Sequence, residues 1–172
     1  DLSTDLVGLT LEDGSVYYGS VRTSDLAGNT AELNGNGVIV DTTPPEIGLV
    51  LDGLESDNEY QSTEGMERSW SDFSDQGSGI AEYLYSLGTE ENPTSILDNV
   101  SSGLEQSMTL TGLALDHGGR YIFSIKAIDG VGNISAVAVS NGFTVDEYVG
   151  PPQVTELSLD TLSSLIALTN NT

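Results

Sequence analysis

The chain has 172 residues, 37% of them apolar, and sets 27 acidic side chains against Arg22, Arg68, Arg120 and Lys126 for a net charge of −23. Such a field repels phosphate backbones and anionic lipid, which excludes nucleic-acid and membrane-surface partners. No apolar run reaches the roughly 18 residues that membrane insertion needs, and the absence of cysteine excludes disulfides and thiol chemistry.

Helical periodicity is almost absent. Short alternating runs bounded by Gly, Asp, Asn, Ser and Pro predict an all-β, antiparallel sandwich. Residues 1–41 read as three closing strands, at about 5–11, 15–24 and 31–40. Thr42-Thr43-Pro44-Pro45 then reads as a stiff linker, because two prolines fix φ and push the preceding residue toward extended backbone. Residues 42–146 form one complete domain. Its first strand alternates through Ile47, Leu49 and Leu51, and a second runs from Met66 to Phe73 around the lone Trp70. Tyr83, Tyr85 and Leu87 mark a third strand, and Met108 and Leu110 a later short one. Tyr121, Phe123, Ile125 and Ala127 alternate on the longest strand. Val137, Val139, Phe143 and Val145 make the last, broken at Asn141-Gly142. Residues 147–172 read as a second linker, with Pro151-Pro152, and the opening strands of a following domain.

The closing strands occur twice. Leu9-Thr10-Leu11-Glu12-Asp13-Gly14-Ser15-Val16-Tyr17, Asp25-Leu26-Ala27-Gly28-Asn29 and Gly37-Val38-Ile39-Val40-Asp41 recur as Leu113–Tyr121, Asp129-Gly130-Val131-Gly132-Asn133 and Gly142-Phe143-Thr144-Val145-Asp146. The offset is 104 residues at Asn29 and Asn133 and 105 at Asp41 and Asp146, a spacing of one domain rather than of a solenoid repeat. The chain is a slice of a tandem array, one complete domain flanked by partial ones. A half-sandwich leaves apolar surface in water and strand edges unpaired. Residues 1–41 therefore call for neighbouring repeats of the same protein, or for other copies joined head to tail by the strands expected at 153–172 into a filament.

Trp70-Ser71-Asp72-Phe73-Ser74-Asp75, Ser78-Gly79-Ile80, Tyr83 to Thr89, Leu113, Leu115, Gly118, Tyr121, Ala127, Asp129, Gly132-Asn133 and Val145-Asp146 together resemble a fibronectin type III-like or immunoglobulin-like module. Modules of this kind are strung in tandem in bacterial surface and secreted proteins, and Val40 to Pro45 resembles their linker. The resemblance implies a buried Trp70 whose ring N–H finds a partner at the sheet edge, and tyrosine corners at Tyr17 and Tyr121. It also implies an extracellular or bacterial cell-surface setting.

The two Asp-x-x-Gly-Asn segments carry two readings. One is a tight turn, in which Asp accepts backbone N–H groups and Gly supplies positive φ. The other comes with the resemblance: the turn Asp and the linker Asp as calcium ligands at a junction, pairing Asp25 with Asp41 and Asp129 with Asp146. Calcium takes six to eight oxygens, so two carboxylates alone do not make the site. Two further acidic groups, Asp52, Glu55, Asp57 and Glu59, and Asp72 with Asp75, read as solvated loops, since the EF-hand pattern is missing. His117, the lone histidine, falls in a turn where the other copy has Asp13, and no nucleophile elbow or phosphate-cradling loop is present. The segment is expected not to be an enzyme. Three roles follow: a structural or adhesive module of a long bacterial fibre, a spacer or carbohydrate-binding module of a large secreted glycan-degrading enzyme, or a filament subunit. Surface glycan or protein would be the external ligand, and an exposed aromatic platform would favour the glycan-binding role.

Overall fold

The computed structural model describes residues 5–147, and within them every regular element is a strand. The first unit holds β1 (Val16–Tyr17), β2 (Ser20–Ser24), β3 (Thr30–Asn34) and β4 (Val38–Ile39). β1 pairs with β4 and β2 with β3, both antiparallel. The strand expected at 5–11 does not form. No strand of an opening half stands beside it among the described residues, and a strand without a neighbour has nothing to bond its backbone to.

The second unit runs through β5 (Leu49–Leu51), β6 (Tyr60–Gln61), β7 (Met66–Ser71), β8 (Ile80–Gly88), β9 (Leu97–Gly103), β10 (Ser107–Leu110), β11 (Arg120–Asp129), β12 (Ala138–Val139) and β13 (Phe143–Val145). One sheet has the order β10-β7-β5. The other runs β6-β13-β11-β8-β9, with β12 also on β11. All pairings are antiparallel except that of β13 with β6. Three strands therefore face a larger sheet, the arrangement of a fibronectin type III-like sandwich within the immunoglobulin-like class.

The pleat explains which side chains go inside. β7 alternates buried Met66, Arg68 and Trp70 with outward Glu67 and Ser71, as a period of two demands. From the facing sheet come Tyr83, Leu87, Phe123, Ile125, Ala127, Phe143 and Val145, all buried. Trp70 fills the space between the sheets, with the ring of Tyr83 5.9 Å away edge-on and that of Phe123 at 6.1 Å. Its indole N–H, expected to find a partner, is buried among these rings without a hydrogen-bonding protein atom. The last strand is interrupted between Val139 and Phe143, as expected. β9 was not legible in the sequence. It is an edge strand of mostly polar residues whose pairing with β8 shifts register twice, and a solvated edge carries no apolar alternation.

Arg68 and Asp52 are both fully buried, with Nε and Oδ1 3.6 Å apart. Arg68 lies 4.0 Å above the Phe143 ring and donates to Gln61 Oε1 and the Glu67 carbonyl. Asp52 Oδ2 accepts from the Gly142 N–H. Burial pushes the Asp52 carboxyl up and the Arg68 guanidinium down to about 10, each opposed by the other's charge. This corrects the reading of Asp52 as part of a solvated loop. Val50 points inward on β5, and Asp52 follows two residues later on the same side of the pleat, where the core closes over it.

The expected opening strands at 153–172, and the filament joint built on them, lie outside the described residues.

Candidate functional site

The two Asp-x-x-Gly-Asn segments fold into the same turn. Asp129 Oδ1 accepts from the N–H groups of Val131, Gly132 and Asn133 at 2.7–3.0 Å, and Oδ2 accepts from Asn133 Nδ2. Asp25 accepts from Ala27 N, Asn29 N and Asn29 Nδ2 in the same manner. Gly28 and Gly132 take φ of 87° and 98°, the left-handed region that glycine alone enters cheaply. Burial pushes the Asp129 carboxyl up, but the Asn133 side chain and the three N–H groups outweigh it and hold the group below its ordinary value. Asp25 is lowered first by the Asn29 amide.

The tyrosine corners also form in both copies. Tyr121 Oη accepts from Asp116 N at 3.0 Å, and Tyr17 Oη from Glu12 N at 2.9 Å.

The carboxylates converge in a pairing that the sequence did not indicate. Asp41, Asp75 and Asp129 bring one oxygen each within 4.8 Å of one another. The linker Asp41 of the first unit thus meets the turn Asp129 of the second, and not Asp25 of its own unit. Asp25 is engaged within its own turn, and Asp146 lies 3.7 Å from His117 Nδ1. The reason is topological: the turn sits at the end of the sandwich where the chain enters, whereas a unit's own linker leaves from the opposite end. Asp75, read as part of a solvated loop, is the third member. Nothing in its spacing marks it, because it reaches the trio through the fold and not along the chain.

Backbone and side-chain groups of the second unit hold these side chains in place. Asp41 Oδ2 accepts from Ser78 N at 2.7 Å, and its carbonyl accepts from Asn133 Nδ2 at 3.3 Å. Asp75 Oδ2 accepts from Gly79 N. A Cβ at Gly77 would overlap the Asp41 carboxylate, so a larger residue there would displace that side chain. Asp41 and Asp75 border a cleft of about 350 Å³ between the units, lined also by Asp13, Thr43 and Glu46. Three carboxylates without nitrogen or sulfur make a donor set for a hard cation such as calcium.

No protein-family model matches the chain. It is 33% identical over 130 residues to Exoglucanase A of Cellulomonas fimi, a match covering 70% of this chain and 13% of that protein. The chain therefore spans about an eighth of the relative's length. Among solved structures it is similar to the chicken CNTN1 FN1–FN3 domains, at 14% identity and a TM-score of 0.46, covering 80% of this chain and 45% of that one. It is also similar to the twitchin kinase region of C. elegans, at 17% identity and a TM-score of 0.42, covering 68% and 19%. Among the described residues no helix is long and apolar enough to cross a membrane.

Proposed function

We propose that the chain is a non-catalytic structural spacer within a longer extracellular bacterial protein, with neighbouring repeats of that protein as its partners. The observation that carries this is where the aromatic rings are spent. Trp70, Phe73, Tyr83, Tyr121, Phe123 and Phe143 are all buried in the sandwich core. Tyr18 and Tyr60 are the strongly exposed rings among the described residues, and they belong to different units. A glycan-binding face stacks sugars on neighbouring exposed rings, so the sandwich is built for span and not for capture. The stretch shared with an exoglucanase, 13% of that protein, favours a glucan-acting enzyme as the parent over an adhesive fibre. Passing the chain over insoluble cellulose tests the spacer role. Complete wash-through supports it, and retention comparable to a known cellulose binder overturns it.

Calcium belongs to this proposal as a stiffener. Asp41, Asp75 and Asp129 would hold it, with water or backbone carbonyl oxygens completing the shell. A cation bound only to the folded state raises the melting temperature by mass action. Millimolar calcium should therefore raise the midpoint by several degrees over EDTA, and Asp75→Asn should abolish the rise. Equal midpoints in calcium and EDTA would remove the metal.

A further inference from the structure

We infer that each unit carries a capture site for the linker that leaves it, at the loop just before its tyrosine-corner strand, and that this site fixes the angle between units without an ion. The inference deepens the spacer reading and rests on it.

The first joint has the clearer geometry. Asp13 Oδ1 accepts from the backbone N–H of Thr42 at 2.6 Å and from Thr42 Oγ1 at 3.1 Å, and Oδ2 accepts from Thr43 Oγ1 at 2.9 Å. Gly14 N donates to the Val40 carbonyl just before them. From the other side, the second unit takes Asp41 through Ser78 N and Asn133 Nδ2. Asp41 Oδ1 also accepts from Thr43 N, and Pro44-Pro45 stiffens the backbone that enters the second unit. Consecutive linker residues are thus bonded to opposite bodies, Asp41 to the second unit and Thr42 and Thr43 to the first. A linker free to swing would have these groups bonded to water instead.

The second unit repeats the site with different chemistry, which argues that the position matters more than the residue. His117 occupies the place of Asp13, and Glu147 that of Thr42. His117 Nδ1 accepts from the Glu147 N–H at 3.2 Å, the same peptide group in the next linker. Glu147 is held again by Thr63 N donating to its Oε1. The corner tyrosine shapes the loop in both units, since its hydroxyl binds a backbone N–H of the loop that carries the acceptor. An acceptor at this loop position that binds the N–H of the residue after the linker Asp is the common element.

The chain has no cysteine, so spin labels can be placed at will. With labels at Ser20→Cys on β2 and Glu90→Cys between β8 and β9, both exposed, double electron–electron resonance in EDTA reads the distribution of inter-unit distances. The full 172-residue chain should give a single narrow peak. Asp13→Ala should widen it about two-fold, and Thr43→Val should widen it less. An unchanged melting temperature and circular dichroism spectrum would show that the second unit remains folded. A peak already broad in EDTA, or one that Asp13→Ala leaves narrow, would overturn the capture site. A peak that is broad in EDTA and narrow only in calcium would overturn it in favour of the ion, while leaving the spacer role intact.

Discussion

Two copies of one sequence pattern sit in this chain in opposite physical circumstances. Ile125, Phe143 and Leu115 are buried in the second unit, whereas their counterparts Val21, Val38 and Leu11 are 70%, 70% and 42% exposed in the first. The turns, the tyrosine corners and the Val-Asp endings are nonetheless the same. Local structure in these strands is therefore written in local residues, such as the Asp that collects N–H groups and the Gly at positive φ. Burial is not local. It requires β5, β7 and β8, which the second unit has and the described part of the first lacks. The turns stand without a core, but the strand that should occupy 5–11 does not.

Substitutions in paired positions probe that contrast, beginning with the core. Trp70→Ala should destabilise the second unit by about 3–5 kcal/mol and Ile125→Ala by about 2–5 kcal/mol, from lost transfer energy and the cavity left behind. Val21→Ala, at the matched exposed site, should stay within about 0.5 kcal/mol. Urea melts of the three variants measure this directly. A large loss from Val21→Ala would mean that the first unit has a core of its own.

Arg68→Ala leaves Asp52 as a buried charge without its partner, and removal of one member of such a pair costs about 3–5 kcal/mol. Arg68→Met keeps an unbranched apolar stem but loses the guanidinium that lies over Phe143, so it should recover part of the packing but not the charge. Equal losses in the two variants would assign the whole effect to the ion pair.

A smaller effect separates the two corners. Tyr121→Phe removes one hydrogen bond from a buried ring and should cost about 1 kcal/mol in chemical denaturation. Tyr17→Phe should leave the second unit's midpoint unchanged. Equal shifts would show that the two units unfold as one.

Acid should act on the turns last. Asp13, Asp25 and Asp129 have carboxyls held below their ordinary value by hydrogen bonds to the ionised form. Their stabilisation is present above about pH 4 and is lost as pH falls through the lowered values. Asp52 runs the other way: its raised value favours the fold at low pH, and that contribution is lost as pH rises through it. The midpoint of the unsubstituted chain should fall more steeply below about pH 4 than that of Asp129→Asn. Parallel curves would remove the turn carboxylate as a pH-dependent support.

Much of this architecture was legible beforehand. Period-two runs at 83–87 and 121–127 mark strands, because a half-buried pleat forces alternation; the run at Ile47, Leu49 and Leu51 marks β5 but has the opposite phase, with Ile47 and Leu49 exposed and Val50 inside. The Asp-x-x-Gly-Asn turns and both tyrosine corners were readable because their hydrogen bonds close within five residues. β9 was not, because an exposed edge imposes no pattern. Nor was the partner of Asp41: the resemblance paired it with Asp25, while the fold brings it to Asp75 and Asp129.

The sequence by itself determined the all-β class, the repeat and its spacing, the stiff proline linker and the acidic surface, each a matter of side-chain period or composition. The tertiary structure alone decided which carboxylates meet, that Asp52 is buried against Arg68, and that the linker is held from two sides. Those facts depend on contacts between residues far apart in the chain, 29 positions for Asp13 with Thr42 and 92 for Asp41 with Asn133. Only the packing of two sheets and the entry of one unit into the next brings such residues together.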